Sequence, residues 1–269
     1  YLWYSTGSSA FYTDLKNDFL GEGTLQARYL RGATGGKPFT LGKYESTRTR
    51  AAIAELAANG GVPMGFYTRF TNPEAREIIT RYYKFIRKHD NIYRNNKSHA
   101  EAVLLFPRKA VHAGNVDTVA KFRETGRALL ENHVLFDILP DDIVTPERLT
   151  AYQEVYRPGD KAVKGATEFT APKTVRVSAN RPAKGDALHL HFVNYNRTEP
   201  TKPKSAGRGI HDEKPIAING IQCAIPLPQG AKLKAARFFT PEEESAVELQ
   251  GKIRGNKVHF TLPEFLVYG

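Results

Sequence analysis

The 269-residue chain contains a single cysteine, Cys223, so neither an intrachain disulfide nor a metal site built from cysteines can form. It also lacks an apolar run of about eighteen residues, so no membrane-spanning helix is predicted. Phosphate-loop and dinucleotide-binding fingerprints are absent. The N-terminus lacks the charged and apolar stretches of a signal peptide. We therefore expect no metal, no other cofactor and no membrane partner.

Acidic residues are fewer than basic ones: the chain has 28 Asp and Glu and 39 Lys and Arg, which gives a formal net charge of +11. Such a balance permits binding to nucleic acid, acidic polysaccharide or an anionic surface. The basic residues are scattered, however, and no zinc-finger, homeodomain or RNP1-type pattern is present, so we expect no nucleic-acid partner. The first residue is Tyr1 and not Met, which indicates a processed or truncated product. The localisation stays open, with secretion or the periplasm favoured over the cytoplasm.

Residues 1–98 alternate short apolar runs with amphipathic segments. Strands are predicted at Pro38–Leu41 and Val62–Tyr67, and helices at Thr24–Arg31 and Arg48–Ala58. A third helix is predicted to run to Lys88, with Asn72 as its cap and Pro73 at its first position. Alternation of this kind is typical of βα units that build a parallel sheet.

Residues 99–165 continue with a β-α-β pattern. Ala102–Phe106 is a continuous apolar run, as expected of a strand that is buried on both faces. The following elements are a predicted helix over Val116–Asn132 and a strand over Val134–Leu139. A short helix that Thr145 caps precedes a third strand over Tyr152–Tyr156.

The last region, 166–269, is rich in predicted strands separated by turn residues. Leu188, Leu190 and Phe192 alternate with His189 and His191, which predicts opposite faces of one strand. The two histidines have the spacing of some metal ligands but lack evident partners, so we expect no metal. The predicted strands are Thr174–Ser178, Ala187–Tyr195, Ile221–Pro226, Ala235–Phe239, Lys257–Leu262 and Phe265–Tyr268.

Several stretches resemble one family. The segment from Glu101 to Tyr156, with LPDD and LTAYQ as its most specific parts, is similar to the trimerisation domain of family 42 β-galactosidases and related hypothetical glycosyl hydrolases. LHLHFVNYNR and the C-terminal IPLPQGAKLKAARFFTPEE resemble the small β-domain of the same proteins. GKPFTLGKYES and GGVPMGFYTRF resemble strands seven and eight of a (β/α)8 barrel.

The predicted fold is therefore α/β plus β, in three domains. Residues 1–98 would form the last strands of a (β/α)8 barrel, and 99–165 a truncated Rossmann-like, amidotransferase-like domain. Residues 166–269 would form a C-terminal antiparallel β-domain resembling a sandwich. A whole trimerisation domain is about twice as long, so we expect residues to be missing between 156 and 166. One third of a barrel cannot close, so its other strands are expected upstream. The resemblance also implies a homo-oligomer, a trimer in the family.

Two glutamates are candidate catalytic residues, since glycoside hydrolysis needs two carboxyl groups at the carboxyl ends of barrel strands. The resemblance implies an acid/base upstream and a nucleophile after strand seven, where our alignment places Lys43 and where Glu45 follows two residues later. Glu22 lies between Gly21 and Gly23, which allow the backbone to direct a carboxylate into a pocket. The alternatives are a helix cap for Glu45 and a dipole-stabilised first-turn position for Glu22.

The candidate substrate-binding residues are expected at the same carboxyl ends of the barrel strands. Asp18 precedes the first predicted helix, Lys43 lies beside Glu45, and Tyr67 and Arg69 follow strand eight, where they could contact sugar hydroxyls. The predicted function is hydrolysis of an O-glycosyl bond in a carbohydrate, with only part of the site on this chain, and the resemblance implies a galactoside. The alternative is a non-catalytic carbohydrate-binding or assembly protein, which Lys43 in place of Glu favours.

Overall fold

Helices and strands alternate up to residue 156, and strands predominate after it. The computed structural model describes residues 3–5, 15, 20–44, 48–62, 65–67, 72–199 and 214–269, with the backbone alone for 3–5, 43, 44 and 65–67. Its first elements form a parallel sheet of order β1-β2-β3, which confirms the predicted βα units. They are β1 (Trp3–Ser5), α1 (Glu22–Ala33), β2 (Thr40–Tyr44), α2 (Thr49–Ala58), β3 (Gly65–Tyr67) and α3 (Pro73–Lys88).

Helix α3 begins where its sequence predicts. The Asn72 side chain accepts hydrogen bonds from the backbone N–H groups of Glu74 and Ala75, at 3.0 and 3.2 Å. Pro73 occupies the first helical turn, where a missing N–H leaves no intrahelical bond unmade. The buried face carries Ala75, Ile78, Ile79, Tyr82 and Phe85, which recur at helical spacing.

The second sheet contains three parallel strands in the order β6-β5-β7. Ala102–Phe106 forms its central strand, as predicted, because a strand with helices on both faces must be apolar throughout. The predicted third strand is confirmed as a shorter one that pairs with β5. The elements are α4 (Asp90–Tyr93), β4 (Asn96–Ser98), β5 (Ala102–Phe106), α5 (Arg108–His112), α6 (Thr118–Glu131), β6 (Phe136–Pro140), α7 (Pro146–Leu149) and β7 (Glu154–Tyr156).

The connection from this sheet to the β-rich region is a loop over residues 157–167. The Gly159 N–H donates to the Thr125 hydroxyl at 3.0 Å, and the Thr167 N–H donates to the buried Glu101 carboxylate at 2.9 Å. These bonds fasten the loop to α6 and to the start of β5. Described residues run continuously from 72 to 199, and the expected deletion near 156–166 stays a prediction.

The remaining strands form antiparallel sheets, as predicted for the last region. One has the order β16-β17-β13-β8 and another the order β10-β9-β4, and a shared apolar core lies between them. The elements are β8 (Glu168–Thr170), β9 (Val175–Pro182), β10 (His189–Asn194), β11 (Arg197–Thr198), β12 (Lys214–Pro215), β13 (Gln222–Pro226), β14 (Arg237–Phe238), β15 (Val247–Glu248), β16 (Lys252–Arg254) and β17 (Lys257–Thr261).

Two features of this region were not expected. The predicted strand at Phe265–Tyr268 is wrong: Phe265 bridges to Ile218 and Tyr268 bridges to Val193. Because the segment changes partners within four residues, no continuous ladder forms. Strand β4 was not predicted, since Asn96–Ser98 is polar and has no apolar alternation, yet it pairs with β9.

The three predicted domains pack closely against one another. Apolar residues of α2 and α3 share a core with Val193, Tyr195 and Tyr268 from the β-rich region. Helix α1 lies against β6 of the second sheet. The predicted domain borders stay predictions.

Contact between α1 and β6 depends on Gly32. A Cβ at this position would lie 1.8 Å from the backbone carbonyl oxygen of Ile138, which cannot move without shifting β6. We expect Gly32→Ala to lower the free energy of unfolding by about 2–3 kcal/mol, despite the better helix propensity of Ala. Gly126→Ala in α6 is the matched control, because its Cβ would first meet the movable tip of the Leu25 side chain. Urea denaturation would contradict this account if both variants lost the same stability.

Candidate functional site

The carboxyl ends of β1, β2 and β3 lie side by side. Ser5 pairs with Gly42, Gly42 pairs with Gly65, and Tyr44 pairs with Tyr67. In parallel α/β folds this edge of the sheet is where active-site residues collect. It is therefore the candidate functional site of the described chain.

The register brings two of the predicted site residues to this edge. Lys43 pairs with Phe66 near the end of β2, and Tyr67 is the last residue of β3. Glu45 follows β2 directly along the chain, and Arg69 follows β3 by two residues. Glu45, Asp18 and Arg69 lie outside the described residues, so their catalytic and binding roles stay predictions.

Glu22 has a defined environment. It is the first residue of α1, and its Oε1 lies 3.0 Å from Nε of Arg123 on α6. A carboxylate in the first turn is stabilised by the helix dipole, which is the structural alternative that the sequence offered. The ion pair directs this carboxylate toward the second sheet, so a catalytic role for Glu22 would require Arg123 to release it.

Arg48 begins α2 with a strained backbone. Its φ and ψ are both 46°, the left-handed conformation, and the residue is buried. Such a conformation in a non-glycine residue costs on the order of 1–3 kcal/mol and is found often near functional sites. Along the chain it comes four residues after the end of β2 and three after Glu45. With Asn196 and Arg197, Arg48 also lines a cavity of about 10 Å³.

A buried ion pair connects the β-rich region to the chain between β1 and α1. Nη2 of Arg197 lies 2.7 Å from Oε1 of Glu199, and these side chains are only 5% and 2% exposed. The same carboxylate oxygen accepts a hydrogen bond from the Leu15 N–H at 2.9 Å. Residues of the last region thus bind the backbone of Leu15, which sequence reasoning did not anticipate.

Behind the sheet lies a second group of polar side chains, here called the inner polar cluster: Thr24, Arg28, Arg31, Glu55, Asn59, Asp137, Arg176, Ser178 and Tyr195. Its acidic centre is Glu55 on α2, which accepts a hydrogen bond from the Thr24 hydroxyl at 2.6 Å. The Tyr195 hydroxyl lies beside this carboxylate, and burial followed by the Glu55 charge raises the pKa of Tyr195 well above its usual value. The Tyr195 hydroxyl therefore stays protonated at neutral pH.

Arg28 is the most deeply placed cation of the inner polar cluster. Its Nε donates to Oδ1 of Asn59 at 3.1 Å, and its Nη2 donates to the Val177 carbonyl at 2.8 Å. The guanidinium also lies 4.3 Å from the centre of the Phe136 ring, a cation–π contact. Burial, followed by the charge of Arg31, lowers the pKa of Arg28 to about 9.

Asp137 joins the cluster to the second sheet. Its Oδ1 accepts from Arg31 at 2.9 Å and from the Ser98 hydroxyl at 2.7 Å, and its Oδ2 accepts from the Tyr152 hydroxyl at 2.9 Å. Arg31 lies on α1, Ser98 on β4, Asp137 on β6 and Tyr152 before β7. These bonds saturate the carboxylate, which indicates a structural role and not a catalytic one.

The histidines of β10 take part in an aromatic cluster. Nδ1 of His191 lies 2.7 Å from the Tyr268 hydroxyl, which in turn accepts from the Tyr93 hydroxyl at 3.1 Å. Burial, followed by the charges of His189 and Arg31, lowers the pKa of His191 to about 3. Within the described ranges, no group of three His, Cys, Asp or Glu side chains is placed to hold a metal ion.

The second sheet does not carry the active site of an amidotransferase. That chemistry needs a nucleophilic cysteine after a strand, whereas Cys223 lies in β13, buried in the core of the β-rich region. Burial raises the pKa of this thiol to about 12, which disfavours the reactive thiolate.

None of the helices in the described part of the chain combines the length and the apolar composition that crossing a membrane requires.

No protein-family model matches the chain, and no curated protein has a significantly similar sequence. The structure of alpha-L-fucosidase isoenzyme 2 from Paenibacillus thiaminolyticus matches 93% of this chain, with a TM-score of 0.63 and 13% sequence identity. The match covers 62% of the fucosidase chain, so this chain spans less than two thirds of that protein. A cycloisomaltooligosaccharide glucanotransferase from Paenibacillus sp., solved with cycloisomaltoheptaose, matches 85% of this chain and 27% of its own, with a TM-score of 0.41 and 11% identity.

At 13% identity, the likeness to the fucosidase concerns the fold alone. It shows a mixed helix and sheet architecture, with several antiparallel sheets, like that of a glycoside hydrolase. It does not single out the family 42 β-galactosidases that the sequence resembles.

Proposed function

We propose that this chain is the C-terminal part of a glycoside hydrolase and that β1, β2 and β3 are the last strands of a (β/α)8 barrel. One observation carries the proposal: the fold resembles that of the alpha-L-fucosidase over nearly the whole chain. The parallel order β1-β2-β3, with helices between the strands, agrees with it. The remaining barrel strands would come from sequence outside this chain, since three strands cannot close a barrel.

The active site of this proposed enzyme lies at the carboxyl edge of the first sheet. Glu45 is the candidate nucleophile, because it directly follows β2. Lys43, Tyr67, Arg69 and Asp18 would bind sugar hydroxyls around it. The acid/base carboxyl group would lie on the part of the protein outside this chain, so the chain alone would not complete the pair that hydrolysis needs.

Two sugar classes compete as substrates. The fold neighbour is named as acting on an alpha-L-fucoside, and the sequence resemblance points to a β-galactoside. A panel of aryl α-L-fucosides, β-D-galactosides and α- and β-D-glucosides, offered to the full-length protein, separates these classes directly. We also propose that the protein is a homo-oligomer, and we expect a trimer. Light scattering measures the oligomeric state.

Glu45→Gln is expected to reduce kcat of the full-length protein on its preferred aryl glycoside by a factor of at least about 100, because the amide cannot attack the sugar. Glu22→Gln is the second candidate, with Arg123→Gln as its matched control, since that change breaks the ion pair and keeps the carboxylate. A catalytic Glu22 would lose activity only in the first variant of this pair. Normal turnover in both Glu45→Gln and Glu22→Gln would rule out this assignment of the site.

The second candidate function is a non-catalytic carbohydrate-binding or assembly protein. Lys43, at the position where the resembled family has its nucleophilic Glu, favours it. A folded full-length protein that binds the panel sugars in calorimetry and hydrolyses none of them would support this function and contradict the enzyme.

A further inference from the structure

One edge of the four-stranded antiparallel sheet carries exposed basic residues. Strand β16 is the outermost strand of the order β16-β17-β13-β8, and within the described ranges it pairs with β17 alone. All three of its residues, Lys252, Ile253 and Arg254, are exposed. Ile253 pairs with Val258, a residue of the apolar core, so it lies on the inner face of the sheet. Because side chains alternate along a strand, Lys252 and Arg254 share the outer face.

A second basic segment lies beside this edge. Strands β14 and β15 form a hairpin, and its open end leads to residues 232–234 on one side and to β16 on the other. A Cβ at Gly251, the residue before β16, would lie 2.3 Å from Cδ2 of Leu233. Leu233 packs against the apolar core, whereas Lys232 and Lys234 on either side of it are exposed. The contact therefore brings these two lysines next to the start of β16.

The four cations at this place, here called the basic edge, are Lys232, Lys234, Lys252 and Arg254. Other cations nearby are neutralised, since Arg237 pairs with Glu248 and Lys257 pairs with Glu168. Over the part of the chain that the structure describes, no ion pair includes a residue of the basic edge. The acidic run 242–244 lies in the loop at the closed end of the β14–β15 hairpin, away from the basic edge.

Protection of an open strand explains only part of this arrangement. Lys and Arg on an edge strand hinder its pairing with another sheet, which accounts for Lys252 and Arg254. Lys232 and Lys234 come from a segment between β13 and β14 that is not a strand. They add like charge at the same place, and the mutual repulsion of these cations is relieved when a negatively charged partner binds.

We propose that the basic edge binds an acidic polysaccharide that carries carboxylate or sulfate groups along its chain. Cations that follow an extended strand match a linear polyanion better than a flat membrane surface. The apolar residue between Lys252 and Arg254 is Ile253, and residues 228–236 and 250–257 include no aromatic ring on which the bases of a single-stranded nucleic acid could stack. The choice of a carbohydrate rests on the proposed function.

Calorimetric titration of the full-length protein with polygalacturonate and with dextran sulfate tests the proposal, with uncharged dextran as the reference. At least one charged polymer is expected to bind more tightly than dextran, and its affinity should fall as salt is added, because binding releases counterions. The measurement does not depend on turnover, so its failure and the failure of the proposed hydrolase are separate results. Affinities for both charged polymers no higher than that for dextran would overturn the proposal.

Removal of the four charges should weaken the affinity for the charged polymer at least about tenfold and make its dependence on salt less steep. The variant combines Lys232→Gln, Lys234→Gln, Lys252→Gln and Arg254→Gln. A matched control removes four exposed cations of α3 and α6 and should bind like the wild type. It combines Arg76→Gln, Lys84→Gln, Arg87→Gln and Lys121→Gln.

Two results of this comparison would contradict the basic edge as a polysaccharide site. Equal weakening in the two variants would show that net charge, and not this edge, drives binding. Tighter binding of the wild type to a single-stranded DNA oligomer than to either charged polysaccharide would overturn the class of partner.

Discussion

Asp137→Ala is expected to lower the free energy of unfolding by about 2–3 kcal/mol, because it removes the acceptor of a partly buried ion pair and of two hydroxyl hydrogen bonds. The substitution deprives Arg31, Ser98 and Tyr152 of their shared acceptor. Arg31 would keep only longer contacts, at 3.3 Å to the Asn59 carbonyl and 3.4 Å to Oδ1 of Asn180. Urea denaturation followed by circular dichroism measures the difference.

Two variants separate the charge from its hydrogen bonds. Asp137→Asn keeps the shape and two acceptor lone pairs, so it should cost less than Asp137→Ala. Asp142→Ala breaks the ion pair with Arg108 at the other end of the same strand. That pair lies nearer the surface, with side chains that are each 23% exposed, so its loss should change stability less than the loss of Asp137 does. Equal losses in Asp137→Ala and Asp142→Ala would show that the three hydrogen bonds do not stabilise the protein.

The Asp137 carboxylate also shows why the three predicted regions behave as a packed unit. Its partners come from residues 31, 98 and 152, and Asn180 of the last region contacts Arg31. The pattern of apolar residues along the sequence separates these regions, because strand and helix periodicities change between them. Side-chain bonds across their borders leave no periodic trace, so the sequence predicts the elements and not their contacts.

The sequence predicted an element correctly where the residues that determine it are neighbours along the chain. Asn72 and Pro73 fix the start of α3 through two hydrogen bonds and one fixed φ angle. The apolar run Ala102–Phe106 fixes a strand that is buried on both faces. Strand β4 and the segment 265–268 depend on partners more than forty residues away in sequence, so propensity alone could not assign them.

The candidate site, too, could be predicted from the sequence only in part. The edge formed by β1, β2 and β3 follows from the βα repeat, and it includes Lys43 and Tyr67. The inner polar cluster was missed, although Glu55 gave one signal. It is the single charged residue in the helical stretch AAIAELAA, where a lone carboxylate requires a buried partner. Its partners Thr24 and Tyr195 come from distant elements, so no spacing rule identifies them.

Acid is expected to destabilise the protein through His191. Its pKa is about 3 in the folded protein and about 6.5 in an unfolded chain. Between these values the unfolded state binds one more proton, so the stability that is present above pH 6.5 is lost as the pH falls toward 3. The loss is about 1.4 kcal/mol per pH unit, on the order of 2–3 kcal/mol at pH 4.5. His89, His99, His133 and His189, whose pKa values are also lowered, act in the same direction.

His191→Asn isolates this contribution, because its amide can replace Nδ1 in the hydrogen bond to the Tyr268 hydroxyl and cannot take up a proton in this range. The comparison uses the slope of unfolding free energy against pH, measured in urea between pH 7.5 and 4.5, so a constant loss of stability does not affect it. We expect the slope of the variant to be shallower by up to one proton, since the Asn side chain has no group that titrates in this range. Charged groups near the ring, His189 and Arg31, oppose its protonation further. Parallel slopes for the two proteins would mean that another group governs acid unfolding.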